Sequence, residues 1–161
     1  MDDKPAAPKI EYGVTPTHVM ASMSGLDFVR AIFEGKLPAP PIMQNVEPFD
    51  STAENGHVVF HSVPGFRHYN PIGSVHGGVL ATLLDTAAGC SVHSTLAPGE
   101  LYTSLDLTVK FLRPVTVESG RLRCEGSVLQ RGRRTALAQA QLYDAEGRLV
   151  AHATSTCMIF T

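Results

Sequence analysis

The rhythm of apolar positions along this chain changes once, and the change marks its organisation. Across residues 77–92, GGVLATLLDTAAGCSV, hydrophobic residues fall on almost every side of a wheel turning about 100° per residue. A helix that is apolar nearly all round is a buried one. Leu80, Leu83, Ala87 and Cys90, with Leu84 to one side, make a wide face opposite Asp85. Gly78, Ala81, Thr82, Ala88, Gly89 and Val92 share the side of Asp85, and nearly all are small or hydroxylated. That side is a shallow trough with one carboxylate in it, and an ionised Asp there is costly unless something pairs with it or uses it. Two readings follow: a helix-packing face whose Asp hydrogen-bonds a neighbour, or an acid that acts on a ligand.

After the turn Ala97-Pro98-Gly99 the period becomes two. Strands are expected over residues 101–111, 120–130, 135–143 and 149–160, separated by Arg113-Pro114, the basic turn 131–134 and the hairpin turn 144–147. In the first of them Leu105, Leu107, Val109 and Phe111 face one way; Tyr102, Ser104, Asp106, Thr108 and Lys110 face the other. Upstream, residues 42–47 and 56–64 read as two further strands, with Asn55-Gly56 as the turn before the second. SGLDFVRAIFEGKLP reads as a helix capped by Ser24, striped by Leu26, Val29, Ile32 and Phe33, and stopped by Gly35 and Pro38. Residues 1–23 are expected to be a flexible tail, and residues 24–161 one domain with that helix as a cover. The fold class is α+β: one long helix against an antiparallel sheet of five or six strands.

Gly77 and Gly78 open the long helix directly after His76, where glycine is disfavoured by propensity. Residues without side chains make sense there if a ligand approaches the backbone closely. The first N–H groups of a helix lack internal partners and carry the positive end of its dipole, so they suit an oxygen that gains negative charge. Asn70 in the preceding loop, the Gly-Gly start and Asp85 eight residues on are the parts of an acyl-transfer site. Eight residues of helix span about 12 Å, too far for one carbonyl carbon to touch both Gly77 and Asp85 of one chain. If both act on the same acyl group, they come from two copies related by a two-fold axis, the commonest oligomer symmetry.

Composition narrows the class. The chain has 161 residues, 43% hydrophobic and 17% charged, with a net charge of −2, which suits a globular domain and offers no global attraction to nucleic acid or an anionic membrane. No apolar run is long enough to span a bilayer, and the acidic, Pro-rich start has no secretory signal pattern, so a cytoplasmic protein is expected. Cys90, Cys124 and Cys157 lack metal or CxxC spacing, and His57 and His61 would lie about 13 Å apart on one strand. No metal is expected.

Asn70-Pro71-x-Gly73-x-x-His76-Gly77-Gly78, then Asp85, then Ser104 on a strand ending Phe111-Leu112-Arg113-Pro114, resembles the hotdog-fold acyl-CoA thioesterases. The pattern is most similar to the phenylacetate-pathway (PaaI-like) branch, which is related to the 4-hydroxybenzoyl-CoA thioesterases. The resemblance implies a helix wrapped by an antiparallel sheet, homodimers joined sheet edge to sheet edge, often pairing into homotetramers, and hydrolysis of acyl-CoA to acid and CoA. CoA is then part of the substrate, and no separate cofactor is implied. It assigns the Gly77 N–H to the oxyanion, Asn70 to orienting the thioester or water, and Asp85 of the second protomer as nucleophile or general base. Ser104 matches a water-positioning hydroxyl, and His76 a family histidine that holds the loop or acts in the site. Arg131, Arg133 and Arg134 match loop residues that meet CoA phosphates. From the residues alone, Asn70-Pro71 is equally a turn, Ser104 a solvated strand position, and the arginines a solvated loop. The benzoyl-type relatives carry a hydroxyl residue one turn after the acid, where this chain has Gly89. A non-catalytic acyl-CoA sensor is the rival reading, and the acyl group itself is not specified.

Overall fold

The computed structural model describes residues 9–161. Its elements follow the order α1 (Thr17–Ala21), α2 (Gly25–Phe33), β1 (Phe49–Glu54), β2 (His57–Ser62), α3 (Gly77–His93), β3 (Leu101–Ser104), β4 (Thr108–Phe111), β5 (Leu122–Arg131), β6 (Thr135–Tyr143) and β7 (Leu149–Phe160). The strands form one antiparallel sheet in the order β1-β2-β5-β6-β7-β3, with β4 also on β7. Part of the stretch expected as a tail lies outside the described residues. From Lys9 onward it holds the short helix α1 and a bridge between Tyr12 and Ala39.

Local signals placed several elements correctly. The Ser24 Oγ accepts from the Asp27 N–H at 3.1 Å and caps α2, and Gly35 ends the segment at φ +73°. Asn55-Gly56 makes the β1–β2 hairpin, with Gly56 at φ +78°. The strand expected at residues 42–47 is instead a 3₁₀ helix, Pro41–Asn45. Pro41 supplies a helical φ and no N–H at its first position, and Met43 and Val46 are buried, so the apolar residues there mark a tight turn. The true first strand, β1, is mostly polar because it is a sheet edge with only Ala53 buried.

The sheet has seven strands rather than five or six because residues 101–111 do not form one strand. Ser104 pairs with Cys157 and Thr108 with Thr154, so three residues of one chain segment oppose two of β7. That is a β-bulge, and one extra residue inverts the alternation on either side of it. Tyr102 and Ser104 therefore lie on the same inner face as Val109 and Phe111, opposite the inward Ile159, Cys157, Ala153 and Ala151. The expectation that Tyr102 and Ser104 face away from Val109 is corrected by this bulge, which the Asp106 carboxylate holds by accepting from the Thr156 N–H at 2.7 Å.

Helix α3 lies across the inner face of the sheet, with Leu83, Leu84, Ala87 and Ala88 almost fully buried. Burying each leucine contributes about 1.5–3 kcal/mol. The facing strands carry Ala136, Ala138, Ala140 and Gly126, and these small residues let the helix approach the sheet. Gly126 marks the tightest approach: a Cβ there would lie 2.1 Å from the Ala87 carbonyl oxygen. Gly126→Ala must push β5 from α3, and the expected result is about 1–3 kcal/mol of lost stability. By thermal melting that is a fall in Tm of roughly 3–10 °C; an unchanged Tm would contradict the close approach. No helix among the described residues is long and apolar enough to cross a membrane.

Candidate active site

The loop before α3 is built by its own side chains. Asn70 Oδ1 accepts from the Ile72 and Ser74 N–H groups at 3.1 and 3.2 Å, and Nδ2 donates to Ser74 Oγ at 3.1 Å. Asn70 is thus a turn builder, with one amide hydrogen left over, and Gly73 completes the turn at φ +87°. His76 takes the N-cap of α3: its Nδ1 accepts from the Gly78 N–H at 2.8 Å. Its carbonyl oxygen also accepts from Val79 at 2.9 Å. Among the described residues nothing accepts from the Gly77 N–H, so the helix start keeps one free donor at the positive end of its dipole. The Phe111 ring lies over Gly77, where a Cβ would come within 3.0 Å of Cζ. A cavity of about 430 Å³ opens beside it, lined by Asn70, Gly77, Leu80, Phe111, Arg113 and Val115 among others.

The capping role of His76 is separable from any chemistry. His76→Ala leaves the Gly78 N–H unsatisfied and is expected to cost about 1 kcal/mol, whereas His76→Asn restores a cap. Thermal melts should then rank Asn near wild type and Ala below it, with turnover following the same order. An Asn variant as inactive as the Ala variant would give the imidazole a direct part in the reaction.

Asp85 stands two turns further along α3, solvent-exposed in the protomer rather than sealed in the core. Partial desolvation pushes its pKa above the usual carboxylate range, and the Ser104 hydroxyl beside it pulls the other way. Ser104 is at this carboxylate only because of the β3–β4 bulge. Tyr102, two residues earlier on the same face, places its phenol at Gly89, where a Cβ would lie 2.6 Å from Oη. Cys90 and Cys157 complete the surroundings; burial first, and Asp85 second, push the Cys90 thiol up to about 12, so it stays protonated and inert. Burial holds His93 down at about 4, a neutral ring stacked on Phe28 at 4.7 Å and edge-on to Tyr102 at 5.3 Å.

The chain therefore holds two separate clusters: Asn70 and the free Gly77 N–H at the start of α3, and Asp85 with Ser104 two turns away. The basic turn lies apart from both clusters on this chain. Arg131 donates to the Glu100 carboxylate at 2.7 Å and to Thr95 at 3.2 Å, which ties the turn to the far end of α3, while Arg133 and Arg134 are exposed. A second cavity, about 480 Å³, is lined by His61, Arg121, Arg123 and Tyr143. Its guanidinium groups are already paired, Arg121 with Asp50 at 2.8 Å and Arg123 with Glu125 at 2.6 Å. Tyr102, on the face that carries Ser104 and against Gly89, is the residue beside these groups that sequence reasoning passed over. The signal was its i, i+2 spacing from Ser104, which puts the two on one strand face whatever that face is.

A long helix wrapped by an antiparallel sheet, with a free N–H at its start and an acid on its open side, defines the chain as a hotdog-fold protein of the thioesterase kind. A model of the thioesterase superfamily matches residues 72–151. The structure of a phenylacetic acid degradation-related protein from Ralstonia eutropha JMP134 superposes with a TM-score of 0.74 at 30% identity, covering 81% of this chain and 98% of that one. The chain belongs to the thioesterase superfamily. It is 36% identical over 98 residues to the medium/long-chain acyl-CoA thioesterase YigI of Escherichia coli K12, a match covering 53% of this chain and 62% of YigI. The smu.793 protein of Streptococcus mutans UA159, solved bound to acetyl CoA, is 26% identical with a TM-score of 0.63, covering 69% and 87% of the two chains.

Proposed function

We propose that the protein is an acyl-CoA thioesterase whose active site is completed by a second copy of the chain. The observation that carries this is the split site: an exposed, partly desolvated Asp85 beside Ser104, and an unpaired Gly77 N–H about 12 Å away along the same helix. The open edge of the sheet supports the pairing. Leu105, Phe111 and Leu112, on β4 and the flanks of β3 and β4, are each more than half exposed along this edge. Joining two copies at that edge covers this apolar surface and brings the partner subunit's Gly77 toward Asp85.

In the proposed reaction the thioester carbonyl oxygen accepts from the partner subunit's Gly77 N–H, and the leftover amide hydrogen of the partner subunit's Asn70 helps hold it. Asp85, its pKa raised by desolvation, takes a proton from a water held by the Ser104 hydroxyl. The hydroxide oxygen bonds to the carbonyl carbon, the tetrahedral oxyanion rests on the partner subunit's Gly77, and its collapse breaks the C–S bond. The thiolate of CoA leaves and takes the proton that Asp85 removed from water, which restores the carboxylate.

The direct test is release of free CoA thiol from a panel of acyl-CoAs. Because protonated Asp85 is inactive, kcat/KM should rise with pH through an apparent pKa above the ordinary carboxylate range and then level off. Tight binding of intact acyl-CoA without thiol release would make the protein a sensor instead.

A further inference from the structure

We propose that Tyr102 is the end wall of the acyl site and sets the length of acyl group it accepts; this rests on the thioesterase reading. The side of α3 that carries Asp85 is a trough of small residues, but its two halves differ. Toward the helix start, Gly78 is exposed and Ala81 and Thr82 are half-buried, so the trough is open. Past Asp85, Ala88, Gly89 and Val92 are buried, and the phenol of Tyr102 stands on Gly89. A thioester held at Asp85 has two arms. The pantetheine arm carries a charged nucleotide that must remain in water, so it takes the open half. The acyl arm is left with the closed half, one helical turn long before it meets Tyr102.

The wall is built to stay in place. The Tyr102 ring is held edge-on by His93, which is itself stacked on Phe28 of α2, so the covering helix buttresses the wall through two rings. The hydroxyl makes no hydrogen bond to any described residue. Among the described residues no fully buried side-chain nitrogen or oxygen lacks a partner, so this hydroxyl keeps a small accessible surface where it stands on Gly89. Gly89 and Tyr102 are complementary: any side chain at 89 would need the phenol oxygen's position.

The test is kcat/KM over saturated straight-chain acyl-CoAs of two to sixteen carbons for wild type, Tyr102→Phe and Tyr102→Val, with Tyr102→Leu as a second shortened side chain and melting curves for each. The Phe variant should keep the wild-type length optimum. The Val and Leu variants should move the optimum longer by two or more carbons and raise the ratio of long- to short-chain kcat/KM about tenfold. An optimum unmoved in folded Val and Leu variants overturns the wall. If wild type releases CoA from none of the series, the thioesterase reading falls. The length preference is then read from calorimetric binding of the intact thioesters, and an unmoved preference there overturns the wall independently. Gly89→Ala should lower Tm in wild type more than in Tyr102→Phe; equal losses would place the hydroxyl elsewhere and overturn the proposal.

Discussion

Asp85→Asn is expected to lower kcat on acyl-CoA by about 10²–10⁴-fold, the range in which a positioned general base contributes. The amide has the shape of the carboxylate, so Ser104 and the trough keep their places while the proton acceptor is lost. Asp85→Ala should be equally inactive, and both should lose the rising limb of the pH profile. Stability separates this outcome from misfolding. The folded-state pKa of Asp85 is raised, so folding favours its protonated form. Its contribution to stability is therefore fully present below the unfolded carboxylate pKa and is lost as pH rises through the raised folded value. Asn removes that pH-dependent loss. The variant should melt higher than wild type at pH 8 and approach it near pH 3. Turnover close to wild type in a folded Asp85→Asn protein would remove the acid from the chemistry.

Gly77→Pro is expected to lower kcat by about 10²–10³-fold with the fold intact, the loss typical of removing one oxyanion donor. Proline deletes the free N–H and little else, because Gly77 is the first residue of α3, where proline is favoured. The preceding residue, His76, already has the extended backbone that proline requires, at φ −58° and ψ 134°. The ring's nearest obstacle is the Phe111 side chain, which is more than half exposed and free to shift. Pairing the two variants then tests the shared site. In a heterodimer of Gly77→Pro and Asp85→Asn chains, one site combines both defects and the other combines an intact Gly77 with an intact Asp85. Purified heterodimers should recover about half of wild-type activity, although each parent homodimer is nearly inactive. Heterodimers as inactive as their parents would mean that each chain builds its site alone, and the two-copy mechanism would fail.

By itself the sequence determined what neighbouring residues decide among themselves. The all-round apolar run from Gly77 and its unusual Gly-Gly start, the Ser24 cap, the Asn55-Gly56 hairpin and the lone acid at position 85 are all legible within a few residues, because helix periodicity, capping and turn chemistry act over that range. The same local reasoning failed at residues 42–47, where apolar side chains are buried by a proline-set turn, and at β1, whose polar sequence says nothing of its sheet-edge place. Only the tertiary structure decided which groups meet. Ser104 reaches Asp85, and Tyr102 reaches Gly89, because β7 offers two residues against three and so inverts the strand's alternation. Arg131 is committed to Glu100, a partner 31 residues away that the folded chain brings to it. A side chain's face on a strand depends on a count kept by a distant partner strand, and no window along the chain contains that count.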